Sequence, residues 1–456
     1  MTVSVIDLGD VSYSPDDPED YRDGRRAIDR IRVSRAARVA LVLLVALFLG
    51  GSGLPGPPVL REMWSVPFSE ADSMVIGGDA LYVRRSLLGV SELTAYDLAT
   101  GTIRWTRGTG PGPAWMGIEP RPQVLLLPGE EQVSEVRAED GSSISFSYGG
   151  TLTALDPATG EALWERPGLQ YWDSPGDTML MFERVRDGSI SWIRLVRTRD
   201  GSTVWERRAA AGTDNVVVQF DGDVPTRVVT ADPEGELTVL RYTDGTVVTS
   251  GIVPWTPMSY STGAGTSLNA VAGRIIVADT GLGPQLDESR VTAYRTDDLV
   301  KLWSRDTSGW PNVQDCGPVI CLGTAQDQIE GVEPETGAKR WGMPGGQFVG
   351  TLPGTGNVLV AGTDDKPLQT LVDAATGRVI GTGGSGGLLH HDPVDGSVTL
   401  LRGRELTSSA VSRLDTATGR STTLGVVSGG NQRYCIGEGR RIACTTGDRL
   451  VVTAVG

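Results

Sequence analysis

The chain has 456 residues, 39% of them hydrophobic and 6% aromatic, with 61 glycines and 26 prolines. Its formal net charge of −15 at pH 7 argues against a nucleic-acid partner, because holding phosphates takes a basic surface. Two histidines and four cysteines leave little material for a metal cage or a histidine-based catalytic triad.

In chain order, residues 1–21 are polar and acidic, with Asp7, Asp10, Asp16, Asp17, Glu19 and Asp20 and no apolar period. This composition predicts a disordered tail. A basic stretch comes next, carrying Arg22, Arg25, Arg26, Arg30, Arg32, Arg35 and Arg38, and then the apolar run from Val39 to Leu49. No charge appears before Arg61, so about 22 uncharged residues are available, enough to reach across a bilayer. The arginines on the N-terminal side predict that the chain beyond the apolar run lies outside the cytoplasm. A cleaved signal peptide is the rival reading, but its charged leader is short and its cleavage site is flanked by small residues. Here a long leader precedes the run, and Gly51-Ser52-Gly53 is a poor site. The expected organisation is therefore a cytoplasmic tail (1–35), a transmembrane signal anchor with a Gly/Pro linker (36–58) and an extracytoplasmic domain (59–456). The membrane contact falls on residues 39–60.

Beyond the linker, Leu93-Thr-Ala-Tyr-Asp97-Leu-Ala-Thr100-Gly101-Thr-Ile-Arg-Trp105 recurs as Leu152-Thr-Ala-Leu-Asp156-Pro-Ala-Thr159-Gly160-Glu-Ala-Leu-Trp164. Each copy reads as strand, turn, strand. Alternation of period two ends at the aspartate, whose carboxylate can accept turn N–H groups. The glycine supplies a left-handed position. Weaker copies run from Ile193 to Trp205, Leu237 to Thr249, Val291 to Trp303 and Ile329 to Trp341, and around Asp373–Gly377 and Asp415–Gly419. The glycine position falls at 101, 160, 201, 245, 299, 337, 377 and 419. Leu299 interrupts the series, which predicts a different turn there. A period of about 40 residues with four short strands per unit is a propeller signature.

Trp64 lies one repeat length before Trp105 and fits the last strand of a unit. The segments beginning at Arg433, Arg441 and Arg449 look like three strands lacking a fourth. The strand at Trp64 would complete them and close the ring. The fold expectation is all-β, a propeller of eight four-stranded blades with seven or nine as alternatives, preceded by one N-terminal transmembrane helix. The copies around Ile193 and Leu237 are the first suspects for incomplete blades.

The motif A-x-D-x-x-T-G-x-x-x-W resembles the tryptophan-docking repeat of the pyrroloquinoline-quinone (PQQ) β-propeller superfamily, over residues 64–456. The resemblance implies that Trp64, Trp105, Trp164, Trp205, Trp303 and Trp341 dock neighbouring blades. It implies turn roles for Asp97, Gly101, Asp156, Gly160, Gly337, Asp373, Gly377, Asp415 and Gly419. A quinone-dependent dehydrogenase of this superfamily would need a calcium site, a catalytic aspartate and often adjacent cysteines. No Cys-Cys pair occurs, and no motif places such an aspartate. The expectation is therefore the fold without the cofactor, and no catalytic or metal residues. The expected function is a noncatalytic protein-interaction or envelope scaffold with an envelope or membrane protein partner. A quinoprotein-like redox enzyme and a small-ligand sensor are the alternatives.

Cys316 with Cys321, and Cys435 with Cys444, fall at the same place in two repeats. Local disulfides across hairpins are favoured over zinc, which the spacing and the lack of nearby histidines disfavour. His390 and His391 would point to opposite faces of a strand, and a polar strand end explains them better than a metal site. The stretch Gly381–Gly387 lacks the context of a phosphate loop and reads as a flexible loop. Trp115, Trp172, Trp192, Trp255 and Trp310 fit core or rim packing better than a binding face.

Overall fold

The computed structural model describes residues 60–456, apart from 88–89, 110–118, 122, 138–142, 172–175, 260–261, 284–286, 325–327, 345, 353, 363–367, 393–394, 406–407 and 429–434. The expected tail, transmembrane helix and linker lie outside the described residues, as do Trp115 and Trp172.

Four-stranded antiparallel sheets succeed one another along the chain. Blade 1 covers residues 73–109, blade 2 119–167, blade 3 169–208, blade 4 215–252 and blade 5 265–308. Blade 6 covers 312–344, blade 7 346–385 and blade 8 387–428. Blade 9 joins three strands from 435–455 to the strand Leu60–Pro67. The described residues therefore build an all-β propeller of nine blades, one more than the eight expected. The two suspect copies are complete blades, because they lose motif residues but keep their apolar positions. Ile193, Leu195 and Val196 are buried in blade 3, and Val228, Val229, Val239 and Leu240 in blade 4.

Middle strands are covered on both faces by neighbouring blades, so they read as apolar runs rather than as alternation. Examples are Leu125 to Leu127, Ile275 to Ala278 and Val358 to Val360. The first strands of blades 1 and 9 are neighbours, which closes the ring. In blade 9, Leu60 pairs with Val455 and Trp64 with Val452.

One irregularity recurs in the blades. The fourth strand carries an extra residue just before the motif's tryptophan position, as in Ala95↔Trp105 followed by Tyr96↔Ile103. The same bulge appears at Ala154, Leu195, Val239, Ala293 and Gly331. It appears again in the closing sheet between Glu62 and Trp64, although that strand arrives from the other end of the chain. A bulge re-aims a side chain, and here the re-aimed residue is the tryptophan.

The motif glycines adopt φ between 66° and 73° at Gly101, Gly160, Gly337, Gly377 and Gly419. Leu299 adopts φ 57°, and its N–H donates to Arg295 O at 2.9 Å. Gly101 N donates to Asp97 O in the same way, at 2.8 Å. The turn at Leu299 is thus the same turn, contrary to expectation, with a side chain forced into the left-handed region.

The glycine-rich stretch is also corrected. Residues 381–385 belong to the strand Val379–Ser385, and Gly387 opens the strand Gly387–Asp392. Between the second and third strands of blade 2, a separate hairpin pairs Gln132–Arg137 with Ser143–Tyr148. Its Phe146 lies over Gly188 of blade 3 and under the Arg184 guanidinium, 5.9 Å away.

Candidate functional site

The motif residues meet at the joints between blades. Trp64 Nε1 donates to Leu98 O at 3.1 Å, Trp105 to Pro157 O at 3.0 Å and Trp164 to Thr198 O at 2.9 Å. Trp205 donates to Tyr242 O at 2.7 Å, Trp303 to Pro334 O at 2.9 Å and Trp341 to Ala374 O at 2.8 Å. Each acceptor lies in the last turn of the next blade, directly after the residue at the motif's aspartate position. Each indole also lies on the glycine of that turn. A Cβ added to Gly101, Gly160, Gly201, Gly245, Gly337 or Gly377 would come within 2.5–2.8 Å of the preceding blade's tryptophan. Glycine at these sites thus answers two demands, a left-handed backbone and an indole at contact distance.

The carboxylates organise the same turns. Asp97 Oδ1 accepts from Ala99 N, Thr100 N and Thr100 Oγ1 at 2.9–3.1 Å. Asp156 accepts from Ala158 N and Thr159 N, Asp373 from Thr376 N, and Asp415 from Ala417 N and Thr418 N. The Arg104 guanidinium bridges Asp97 and Asp79 at 2.7 and 2.8 Å. That guanidinium, with the Thr100 hydroxyl, holds the Asp97 carboxyl down at about 2. Hydrogen bonds from Thr376 and Thr418 lower Asp373 and Asp415 in the same direction.

Cys316–Cys321 and Cys435–Cys444 are disulfides, each across the first hairpin of its blade. His390 Nε2 accepts from Gly439 N at 3.0 Å, tying blade 8 to blade 9. His391 is half-buried, and burial, with His390 beside it, pushes its pKa down. Trp192 and Trp255 are half-buried, Trp255 against Gly235, and the exposed Trp310 lies over Gly263.

A second feature has no counterpart among the motif residues. A cavity of about 1360 Å³ opens at one end of the channel, across blades 4 to 7. First-hairpin turns of these four blades line it, with the last turns of blades 5 and 6. Its lining includes the carboxylates Asp221, Asp223, Asp297, Asp315, Glu333 and Glu335 and the guanidiniums of Arg227, Arg274 and Arg295. All three arginines are engaged. Arg227 of blade 4 pairs with Asp297 of blade 5 at 2.9 Å, and Arg274 of blade 5 with Glu335 of blade 6. Arg295 pairs with Asp298 at 2.8 Å. Asp315 accepts from Ala272 N across the joint at 3.0 Å and from Gly317 N at 2.7 Å. Gln219, on the first strand of blade 4, is only 6% exposed, and its Oε1 has no hydrogen-bond partner among the described residues. Sequence reasoning missed this mouth, because each blade contributes a different short turn. The one local signal was Asp221-Gly-Asp223 in a first-hairpin turn.

At this mouth the acidic side chains are largely engaged already, and no cluster of three or more His, Cys, Asp or Glu that could hold a metal ion occurs among the described residues. Two of the mouth's carboxylates pair with arginines of neighbouring blades, and Asp315 is held by backbone N–H groups. Both disulfides join hairpin partners within a blade, so no adjacent-cysteine ring is available to stack on a cofactor.

Residues 61–170 and 91–278 match the family model described as outer membrane protein assembly factor BamB. No curated protein sequence matches the chain. Among solved structures, BamB from Moraxella catarrhalis is 12% identical, with 87% of this chain and 99% of that one covered and a TM-score of 0.36. The computationally designed Ika8 protein is 13% identical, with 72% and 96% covered and a TM-score of 0.40. Quinohemoprotein alcohol dehydrogenase from Comamonas testosteroni is 13% identical, with 74% and 80% covered and a TM-score of 0.36. With its docking repeats, its nine four-stranded blades and the match across residues 61–278, the chain is a PQQ-like β-propeller repeat protein.

Proposed function

We propose that this propeller is a membrane-anchored, extracytoplasmic module that holds partner proteins and does no chemistry of its own. The observation that carries the reading is the channel mouth. Charge pairs between successive blades lie in its lining, and its volume of about 1360 Å³ exceeds the ~300–1,000 Å³ of ordinary small-molecule pockets. A groove of that size, lined by turns from four blades, suits a polypeptide segment. The family description of an outer membrane protein assembly factor agrees with a role among envelope proteins. The anchor rests on the arginine-rich stretch at 22–38, followed by the apolar run at 39–49.

Photocrosslinking in intact cells tests the function. A crosslinker replacing Asp223 at the mouth should give a discrete adduct with another protein. One replacing Glu234, in the opposite turn of the same blade, should give none. Equal labelling from both positions would remove the scaffold reading. Protease added to intact cells should digest the propeller and spare the first 38 residues, and the reverse pattern would overturn the topology. A melting temperature raised by PQQ with calcium would argue instead for an oxidoreductase.

A further inference from the structure

The face on which the mouth opens can be followed round the ring to the point where the chain enters it. First-hairpin turns of blades 4 to 7 line the mouth. Every blade repeats the same antiparallel path, so the other first-hairpin turns share that face. In blade 9 this turn runs from Glu438 to Arg441. Gly439 N donates to His390 Nε2, just before the corresponding turn of blade 8, at 3.0 Å. Gly78 N, in the first-hairpin turn of blade 1, donates to Glu438 Oε1 at 3.3 Å. Leu60 lies at this end too. It pairs with Val455, whose N–H donates to Arg440 O at 2.8 Å, and Ala454 pairs with Arg441. From Leu60 the strand runs away from the mouth to Pro67, which pairs with Arg449 at the opposite face. Its eight residues at ~3.3 Å each span about 25 Å.

The reach of the chain before Leu60 decides which face looks toward a bilayer. Ten residues, from Gly50 to Val59, separate Leu60 from the apolar run that ends at Leu49. As a flexible chain they reach ~16–19 Å on average, and ~35 Å when fully extended. With the mouth toward the bilayer, the chain passes straight into its first strand. With the opposite face toward the bilayer, it would have to climb the ~25 Å height of blade 9 on the outside and then reverse. That draws the chain well past its mean reach and costs conformational entropy.

We propose that the mouth faces the membrane from which the propeller hangs, and that the segment it holds is the extracytoplasmic juxtamembrane stretch of a protein embedded in that same membrane. This rests on the anchored-scaffold reading and adds to it an orientation and a class of partner. A partner fixed in the same bilayer meets the mouth within the layer that the ten residues define. Binding is then in effect intramolecular, at a concentration that for short tethers reaches about the mM range. A soluble protein has no such advantage and must enter the gap from the side.

The orientation is tested with the full chain in phosphatidylcholine vesicles that carry a lipid-linked acceptor dye. A donor dye is placed on Asp223→Cys at the mouth or on Glu234→Cys in the opposite turn of blade 4. The native cysteines are buried in disulfides and do not label. Position 223 should lie ~25 Å nearer the lipid and give about twice the energy transfer. Inserting about twenty Gly/Ser residues after Pro58 raises the mean reach to ~27–33 Å, beyond the height of a blade, and should bring the two positions level. Equal transfer in the chain without the insertion, or more from 234, overturns the orientation and leaves the anchor in place. Transfer from neither position removes the anchor itself, and the orientation with it. A difference that survives the insertion overturns the tether as its cause. The partner is tested in intact cells with the crosslinker at 223 and a protease site in the linker. Cutting should free the uncrosslinked propeller, while the adduct stays in carbonate-washed membranes. An adduct released with the propeller would overturn the embedded partner and leave the scaffold reading standing.

Discussion

Leu299 of blade 5 reaches across its joint to Gly251 of blade 4, so that a Cβ added to Gly251 would lie 3.2 Å from its Cδ1. At the corresponding place in six other joints the reach runs the opposite way, from a tryptophan onto a glycine. Blade 4 carries Thr249 at the tryptophan's register, opposite Val239. With no indole to receive, blade 5 keeps a side chain in the left-handed position, and that side chain helps fill the joint. The departures from the motif at Thr249 and Leu299 are therefore one exchange. Restoring both should show coupling. Thr249→Trp alone should destabilise by about 1–3 kcal/mol through overpacking. Combined with Leu299→Gly, it should recover at least ~1 kcal/mol relative to the sum of the single changes. Urea midpoints measure this, and additivity within ~0.5 kcal/mol would mean that the two positions are independent.

Trp205 is 9% exposed and donates to Tyr242 O. Trp205→Ala should cost about 3–5 kcal/mol, as for other buried aromatic truncations. Trp205→Phe keeps much of the ring but loses the N–H, and should cost about 1 kcal/mol plus the packing difference. Equal losses for the two would assign the whole effect to the N–H group. A loss under about 1 kcal/mol for alanine would show that the joint does not depend on it.

Acid should act on the blade 1 turn in a defined window. The Asp97 carboxyl sits at about 2 in the folded protein against an ordinary 3.8, held there mainly by Arg104. A depressed folded value means that the ionised carboxylate stabilises the fold above pH 3.8, and that this contribution disappears as pH falls through about 2. Thermal melts of wild type and Asp97→Asn should therefore differ at pH 7 and converge toward pH 2. A difference that stays constant across that range would remove the ion pair as its source.

Reduction should act locally. Each disulfide closes a short hairpin, and a loop of this length corresponds to about 2–3 kcal/mol of chain entropy. Blades 6 and 9 should therefore loosen first when the disulfides are reduced, seen as faster amide exchange around Ile320 and Ile442. Earlier exchange around Trp105 in blade 1 would contradict this.

How much was legible depends on the range over which each residue acts. Asp97, Thr100, Gly101 and Trp105 act within one turn and one joint, so their spacing survives in the sequence. The number of blades was harder to read, because blades 3 and 4 are held by buried apolar positions such as Ile193 and Val239, which leave no motif. Gly381 misled because glycine is a poor strand former. Yet blades 7 and 8 need it: a Cβ on Gly419 would lie 2.5 Å from Gly381 Cα, so two backbones meet where elsewhere an indole intervenes. The channel mouth was illegible for another reason. Gln219, Arg274 and Glu335 come together only after three blades are stacked, and no local spacing encodes that.

The pairing of Arg449 with Ser65 spans 384 residues of chain. A ribosome releases the strand at Trp64 long before its partner strand exists. Until the last residues emerge, blade 1 must wait beside an unfinished neighbour, with Trp64 already able to reach Leu98 but with no sheet behind it. The ring thus carries its own proof of completion: a chain cut short at residue 448 would have every joint from blade 1 to blade 8 and still no latch. Such a product would expose the raw edges of a half-built sheet to whatever quality-control machinery inspects it.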